Sequence, residues 1–240
     1  MRIPAKTSGG SPLRWGIGDA FGSYVAGLLG AVLAGSVAIG VVGVSSGEEH
    51  GGVLIASLVG QFIATVTLLL VTSRRKGRGT LRADFGFTIR PSDWRFLPLG
   101  AGFQVVIGWC LLPLNSWAGL GEDETQEVVN RLKEAGGAEL WVTALAAVLV
   151  APIVEEVLFR GLLLRSLQRR VSPVAALVIS SVIFAGVHLA DGSLGSLVAF
   201  PGLVAVGMGA GLLAFRGDLS RSILLHAGFN ALTVVALVAT

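Results

Sequence analysis

The sequence predicts an all-α fold, a polytopic membrane helical bundle of about seven transmembrane helices. Three observations carry that expectation. Hydrophobic residues make up 53% of the 240 positions and charged residues only 14%, against roughly a quarter charged in soluble domains. Apolar runs fall at 19–44, 53–72, 96–118, 139–163, 171–190, 194–215 and 220–239, each long enough or nearly so to cross a hydrocarbon core of about 30 Å as a helix. The basic residues sit between those runs in an alternating pattern.

That alternation sets the orientation. With the N-terminus inside and every run crossing, 15 of the 18 Lys and Arg residues fall on the cytoplasmic side. Only Arg131 and Lys133 fall outside, and Arg160 lies within a run. The positive-inside rule then fits every loop, giving an N-in, C-out integral protein of the plasma membrane. The Gly/Ala-rich composition and compact loops have a bacterial character. The first run exceeds the roughly 7–15 residues of a signal-peptide core, so it reads as an uncleaved anchor. A pI near 9.6 invites a nucleic-acid reading, but no such motif is present and topology explains the charges, so no nucleic-acid partner is expected. The lone Cys110 excludes an internal disulfide framework and reads as a small core residue. The chain divides into a cytoplasmic N-terminal segment (1–18), N-terminal membrane helices and loops (19–138), and a C-terminal membrane core (139–240).

Two loops have character of their own. Residues 121–139 hold six acids, with Val128, Val129 and Leu132 at helical spacing, which fits either a short surface helix or a solvated acidic loop. Residues 73–95 are basic, with Phe85, Phe87 and Trp94 interleaved, a composition suited to the inner headgroup interface. The DFG at 84–86 lacks the other kinase elements and is not a kinase signature. The small pairs Ala31/Gly35, Ser36/Gly40 and Gly207/Gly211 are read as helix contacts without a catalytic part. No internal repeat is visible.

The ionisable residues inside the runs cluster late: Glu155, Glu156 and Arg160 in the fourth, His188 in the fifth, His226 in the seventh. A charge at the bilayer centre costs about 2.5–3.5 kcal/mol on insertion scales, and two adjacent carboxylates repel. Stability alone disfavours the set. Glu156 and Arg160 are i,i+4 and can form a helical ion pair. Adjacent positions diverge by about 100°, so the two glutamates are not expected to face one partner, and Glu155 remains free for chemistry. Phe184 and His188 share one helix face, as do His226 and Asn230. Glu155 could accept a proton from water as a general base, His188 could position that water, and His226 with Asn230 could stabilise an oxyanion. Each residue alone has a blander reading, as an interhelical hydrogen-bonder, a structural ion pair or polar glue.

The three motifs EEVLFR (155–160), FAGVH (184–188) and HAGFN (226–230) resemble, in order, the EExxxR, FxxxH and HxxxN/D motifs of the CPBP family of intramembrane proteases. That family includes type II CAAX prenyl endopeptidases and Abi-like, bacteriocin-protection proteins. The resemblance covers about residues 139–235 in detail and the first three runs in hydropathy only. It implies a cytosol-facing catalytic cavity and peptide-bond hydrolysis inside the membrane. It places the catalytic glutamate at Glu155, the water-orienting histidine at His188 and the oxyanion pair at His226 and Asn230, with Glu156, Arg160 and Phe184 in support.

No cofactor is expected. Glu plus two His matches zinc sites in ligand count, but HExxH is absent, and a metal-ligating Glu155 would require another base, which Glu156 could supply only by giving up Arg160. Zinc is the less favoured alternative. The expected partners are the lipid bilayer and a membrane-associated, in some cases lipidated, protein or peptide substrate. The competing classes are a proton-coupled transporter, disfavoured because runs one to three offer almost no polar residues, and a catalytically silent immunity or scaffold protein. On the run limits His188 lies toward the outer end of its helix and His226 near the inner end of its own, so a shared site requires tilted or broken helices.

Overall fold

The computed structural model describes residues 13–42, 51–119, 137–189, 192–215 and 217–238. These form an all-α membrane bundle without strands. Its elements are α1 (Ile17–Val42), α2 (Gly51–Lys76), a short α3 (Leu81–Phe85), α4 (Phe96–Ala118), α5, α6 (Pro173–Gly186, extended by a 3₁₀ turn Val187–Leu189), α7 (Leu194–Ala214) and α8 (Ser220–Val238). Helix α5 is a composite rod in which α-helical pieces Gly137–Leu145, Ala151–Glu156 and Arg165–Gln168 alternate with π-helical pieces Ala146–Val150 and Val157–Leu164. Within the described residues, each of the seven apolar runs is largely helical. Five helices, α1, α2, α4, α5 and α7, are by themselves long and apolar enough to cross a membrane. The expected crossing at 171–190 is the shorter segment Pro173–Leu189, about 25 Å long at 1.5 Å per residue. It starts sharply because Ser172 caps it on Ala175 N and Pro173 occupies its first position.

The bundle is apolar on its outside, as lipid requires. Val41, Trp109 and Val174 are largely exposed, and Trp117 and Trp141 stand out where α4 ends and α5 begins, as aromatic residues do at a membrane interface. Cys110 is also exposed, so it faces outward rather than filling the core. The buried post is α5, with 44% of its apolar window covered against 11% for α1, α2 and α4.

The core gathers around the second half of α5. Val157, Leu158, Phe159, Leu162, Leu163 and Leu164 pack with Leu69, Phe85, Phe184, Leu219 and Trp15. Phe85 and Phe87 therefore join the core instead of the headgroup layer, while Trp94 is exposed. The reason is Asp84. Its buried carboxylate accepts from Trp15 Nε1 (3.2 Å), Ser73 Oγ (2.6 Å) and the backbone N–H groups of Arg78 (2.9 Å) and Gly79 (3.2 Å). These bonds fold α3 inward, and Gly86 ends it in the left-handed conformation at φ 74°. Arg165 donates to Asp84 O (3.1 Å) and Gly217 O (2.9 Å), pinning the α7–α8 connection to the same knot. Arg169 donates to the Trp15 carbonyl and lies over its ring; burial, and then the charge of Arg170, lower its pKa from the ordinary arginine value.

Small residues set the interhelical distances. Gly35 approaches Ser57, and Gly30 and Gly60 meet backbone to backbone between α1 and α2. Gly207 and Gly211 approach Ser181 and Leu177 of α6. Ser36 and Gly40 are exposed, and a Cβ on Gly40 would meet nothing within 4 Å, so Gly40 marks no close helix approach among the described residues. Residues 120–136, most of the acidic loop, lie outside the described residues.

The tightest backbone-to-backbone approach joins α4 to α8, where a Cβ on Gly100 would strike the Leu225 carbonyl and one on Gly228 the Leu97 carbonyl. Backbone atoms cannot yield as side chains do. Gly100→Ala and Gly228→Ala should each destabilise the detergent-solubilised protein by about 1–3 kcal/mol or more, read as a lowered Tm. Gly102→Ala, with nothing within 4 Å, should leave the Tm in place.

Candidate active site

Helix α5 places Glu155 and Glu156 on adjacent positions, and their surroundings separate them. Glu156 is completely buried. Its Oε1 lies 2.9 Å from Arg160 Nη1 and 3.0 Å from His226 Nδ1, and its Oε2 accepts from Ser222 Oγ. Arg160, 1% exposed, also donates to Gly207 O (3.2 Å) and stacks 4.2 Å over the Phe184 ring. Phe184 in turn contacts Phe159, His188 and His226, with ring centroids 5.3, 4.8 and 5.5 Å apart. A carboxylate, a guanidinium, an imidazole, a hydroxyl and a ring face thus form one closed cluster drawn from α5, α6, α7 and α8.

Glu155 points the other way, into a cavity of about 800 Å³ that His188, His226 and Asn230 also line. Its Oε2 is buried without a hydrogen-bond partner among the described residues and lies 3.8 Å from His226 Nε2. The two glutamates therefore do share a partner, contrary to the expectation from helical angles. An imidazole carries nitrogens on two edges, and the His226 ring, inserted between the diverging carboxylates, presents Nδ1 to one and Nε2 to the other.

Hydrogen-bond chemistry assigns the protons. A carbonyl can only accept, so His188 Nδ1, 2.7 Å from Phe184 O, carries hydrogen and leaves the Nε2 lone pair free. The same reasoning gives His226 a proton on Nδ1, donated to Glu156. Nε2 of His226 can then donate only as the imidazolium, for which Glu156 is the adjacent counterion.

Asn230 Nδ2 donates to Ala147 O at 2.8 Å. That carbonyl is available because the π-helical turn sends Ala151 N to Ala146 O, and the next residue, Pro152, has no N–H to offer. Pro152 thus creates the acceptor that fixes the Asn230 amide, whose second N–H remains unassigned. The short α6 brings Phe184 and His188 to the level of His226, which removes the depth mismatch expected from the run limits.

Sequence reasoning missed several lining groups. Tyr24, Gln61, Gln104 and Asn115, from α1, α2 and α4, face the same cavity, so the first three runs are not devoid of polar residues at the site. Ser222 was also missed, although its place four residues before His226 on one helix face was a usable signal. The described residues contain no group of three His, Cys, Asp or Glu side chains able to hold a metal ion. The free Nε2 lone pairs with hydrogen-bonded Nδ1 atoms resemble the outer support of zinc-ligating histidines, but a three-ligand set is not assembled among the described residues.

Removing one member of a buried ion pair strands the other charge. Arg160→Leu should lower stability by about 3–5 kcal/mol, while Glu156→Gln combined with Arg160→Leu should recover part of that loss. Thermal melts of the single and double variants measure the coupling; additive losses would show the pair to be unimportant.

Neither curated proteins nor solved structures gave a match. A protein-family model did, the one described as type II CAAX prenyl endopeptidase Rce1-like, over residues 137–232. The match spans less than half of the chain but includes Glu155, Glu156, Arg160, Phe184, His188, His226 and Asn230. By that match, the region that builds the site is similar to the Rce1-like family of CAAX-type proteases.

Proposed function

We propose that the protein is an intramembrane endopeptidase that hydrolyses a peptide bond near the C-terminus or membrane edge of a membrane-associated protein, lipidated substrates included, through water activated by Glu155. The observation that carries this reading is the Glu155 carboxylate, whose buried Oε2 has no hydrogen-bond partner among the described residues, at the wall of a cavity shared with His188, His226 and Asn230. Glu155 takes a proton from water as the oxygen attacks the scissile carbonyl carbon. The Nε2 lone pair of His188 accepts the second water hydrogen and aims the attack. The developing oxyanion is met by protonated His226 Nε2 and the free N–H of Asn230. The C–N bond then breaks, Glu155 returns its proton to the leaving amine, and a carboxylic acid forms that loses its remaining proton to the freed amine or to water.

The basic residues around α2, α3 and the α5–α6 turn support a cytoplasmic placement of that end, with the N-terminus inside and the cavity open to the cytosol. No cofactor is required by this chemistry. A carrier reading gains from the polar lining given by Tyr24, Gln61, Gln104 and Asn115, which could form part of a proton path.

Purified protein should cleave a quenched-fluorescent prenylated or transmembrane peptide in detergent. Glu155→Gln and His188→Ala should each lower kcat by at least about 10²-fold, and Asn230→Ala by about 10²–10³-fold, with activity retained under strong chelation. Loss under chelator restored by zinc would overturn the metal-free mechanism. Proton-coupled solute flux in liposomes without cleavage would replace the protease with the carrier.

A further inference from the structure

Two buried polar atoms on the cavity wall take no part in the chemistry above. Gln104 of α4 donates from Nε2 to Thr233 Oγ1 of α8 at 3.0 Å, which fixes its amide and leaves the buried Oε1 without a partner among the described residues. Thr143 of α5, 3% exposed, likewise has an unpartnered Oγ1. Both residues line the cavity that holds Glu155. A buried acceptor left unsatisfied costs about 1–3 kcal/mol, so two on one wall mark a place where a polar ligand would be welcomed.

Their positions can be read along the helices. Asn230 and Thr233 are i,i+3 on one face of α8, and Thr143 and Ala147 are i,i+4 on one face of α5. Asn230 is joined to Ala147, and successive crossings run α5 antiparallel to α8. One turn further from Glu155, Thr143 therefore sits beside Thr233 and its bound Gln104. Seven residues separate His226 from Thr233, about 10 Å along α8. An extended peptide covers that distance in about three residues, at roughly 3.3–3.6 Å each.

We infer that Gln104 and Thr143 form a peptide subsite three residues from the scissile bond, where Gln104 Oε1 accepts a substrate main-chain N–H and Thr143 supplies its hydroxyl to the adjoining peptide carbonyl. The subsite deepens the protease reading and rests on it. Because the groups recognised belong to the backbone, the subsite selects an extended chain and not a particular side chain. The three-residue spacing makes it act on substrates long enough to reach it.

The test uses the prenylated or transmembrane peptide that the wild-type protein cleaves, remade as a set with single N-methyl groups at each of three residues on either side of the cut. One methylated peptide, three residues from the cut, should show KM raised about 3- to 10-fold with kcat kept, the loss of one hydrogen bond. Gln104→Leu should raise KM for the unmethylated peptide by the same factor, and methylation at that residue should then add nothing. Thr143→Val should also raise KM for peptides that reach the subsite and leave truncated ones unchanged. A Tm measured for each variant separates binding from folding, since Thr233→Val breaks the same interhelical bond while keeping the Gln104 acceptor. If wild type cleaves but methylation and Gln104→Leu act independently, or if kcat falls instead of KM, the subsite is wrong and the protease stands. If wild type cleaves no such peptide, both fall together.

Discussion

The interaction on which the rest of the structure depends is the buried ion pair between Glu156 and Arg160. Two charges withdrawn from water incur a desolvation penalty that their attraction repays only with good geometry and further hydrogen bonds. Here those bonds come from every side: Ser222 and His226 from α8, the Gly207 carbonyl from α7, the Phe184 face from α6. Satisfying one pair therefore fixes four helices against each other. The arrangement also disposes of one glutamate, leaving its neighbour to face the cavity alone.

The backbone around the site is shaped by departures from regular helix. The π-helical turn and Pro152 free a carbonyl that orients Asn230, in keeping with the tendency of such turns to occur at functional sites. Glycines without side chains let α4 and α8 touch backbone to backbone beside His226. On the basic side, Asp84 gathers a loop, two helix ends and Trp15 into one knot, to which Arg165 ties the start of α8. Geometry at the active site is thus held from a distance as well as from within.

Much of this was legible in the sequence because hydropathy and local spacing carry it. The seven apolar runs, the Glu156–Arg160 pair and the grouping of Glu155, His188, His226 and Asn230 all follow from patterns within single helices or from the resemblance of three motifs. What was not legible depended on contacts between helices. The insertion of His226 between both glutamates, the burial of Phe85 under an Asp84 knot, the outward face of Cys110 and the polar wall of Tyr24, Gln61 and Gln104 are tertiary facts. The exposed Ser36/Gly40 pair shows the converse: a small-residue motif marks a possible approach, and only the partner helix decides which pairs are used.

The division of labour between the two glutamates rests on where the protons of the histidines lie. The chain has only three histidines, His50, His188 and His226, so nitrogen-15 NMR of selectively labelled protein can resolve each ring. With the imidazoles neutral, His188 and His226 should both carry hydrogen on Nδ1 and show an unprotonated Nε2, and Glu156→Gln should perturb His226 far more than His188. A His226 ring protonated on Nε2 and bare at Nδ1 would contradict the assignment of Glu156 to structure and Glu155 to chemistry.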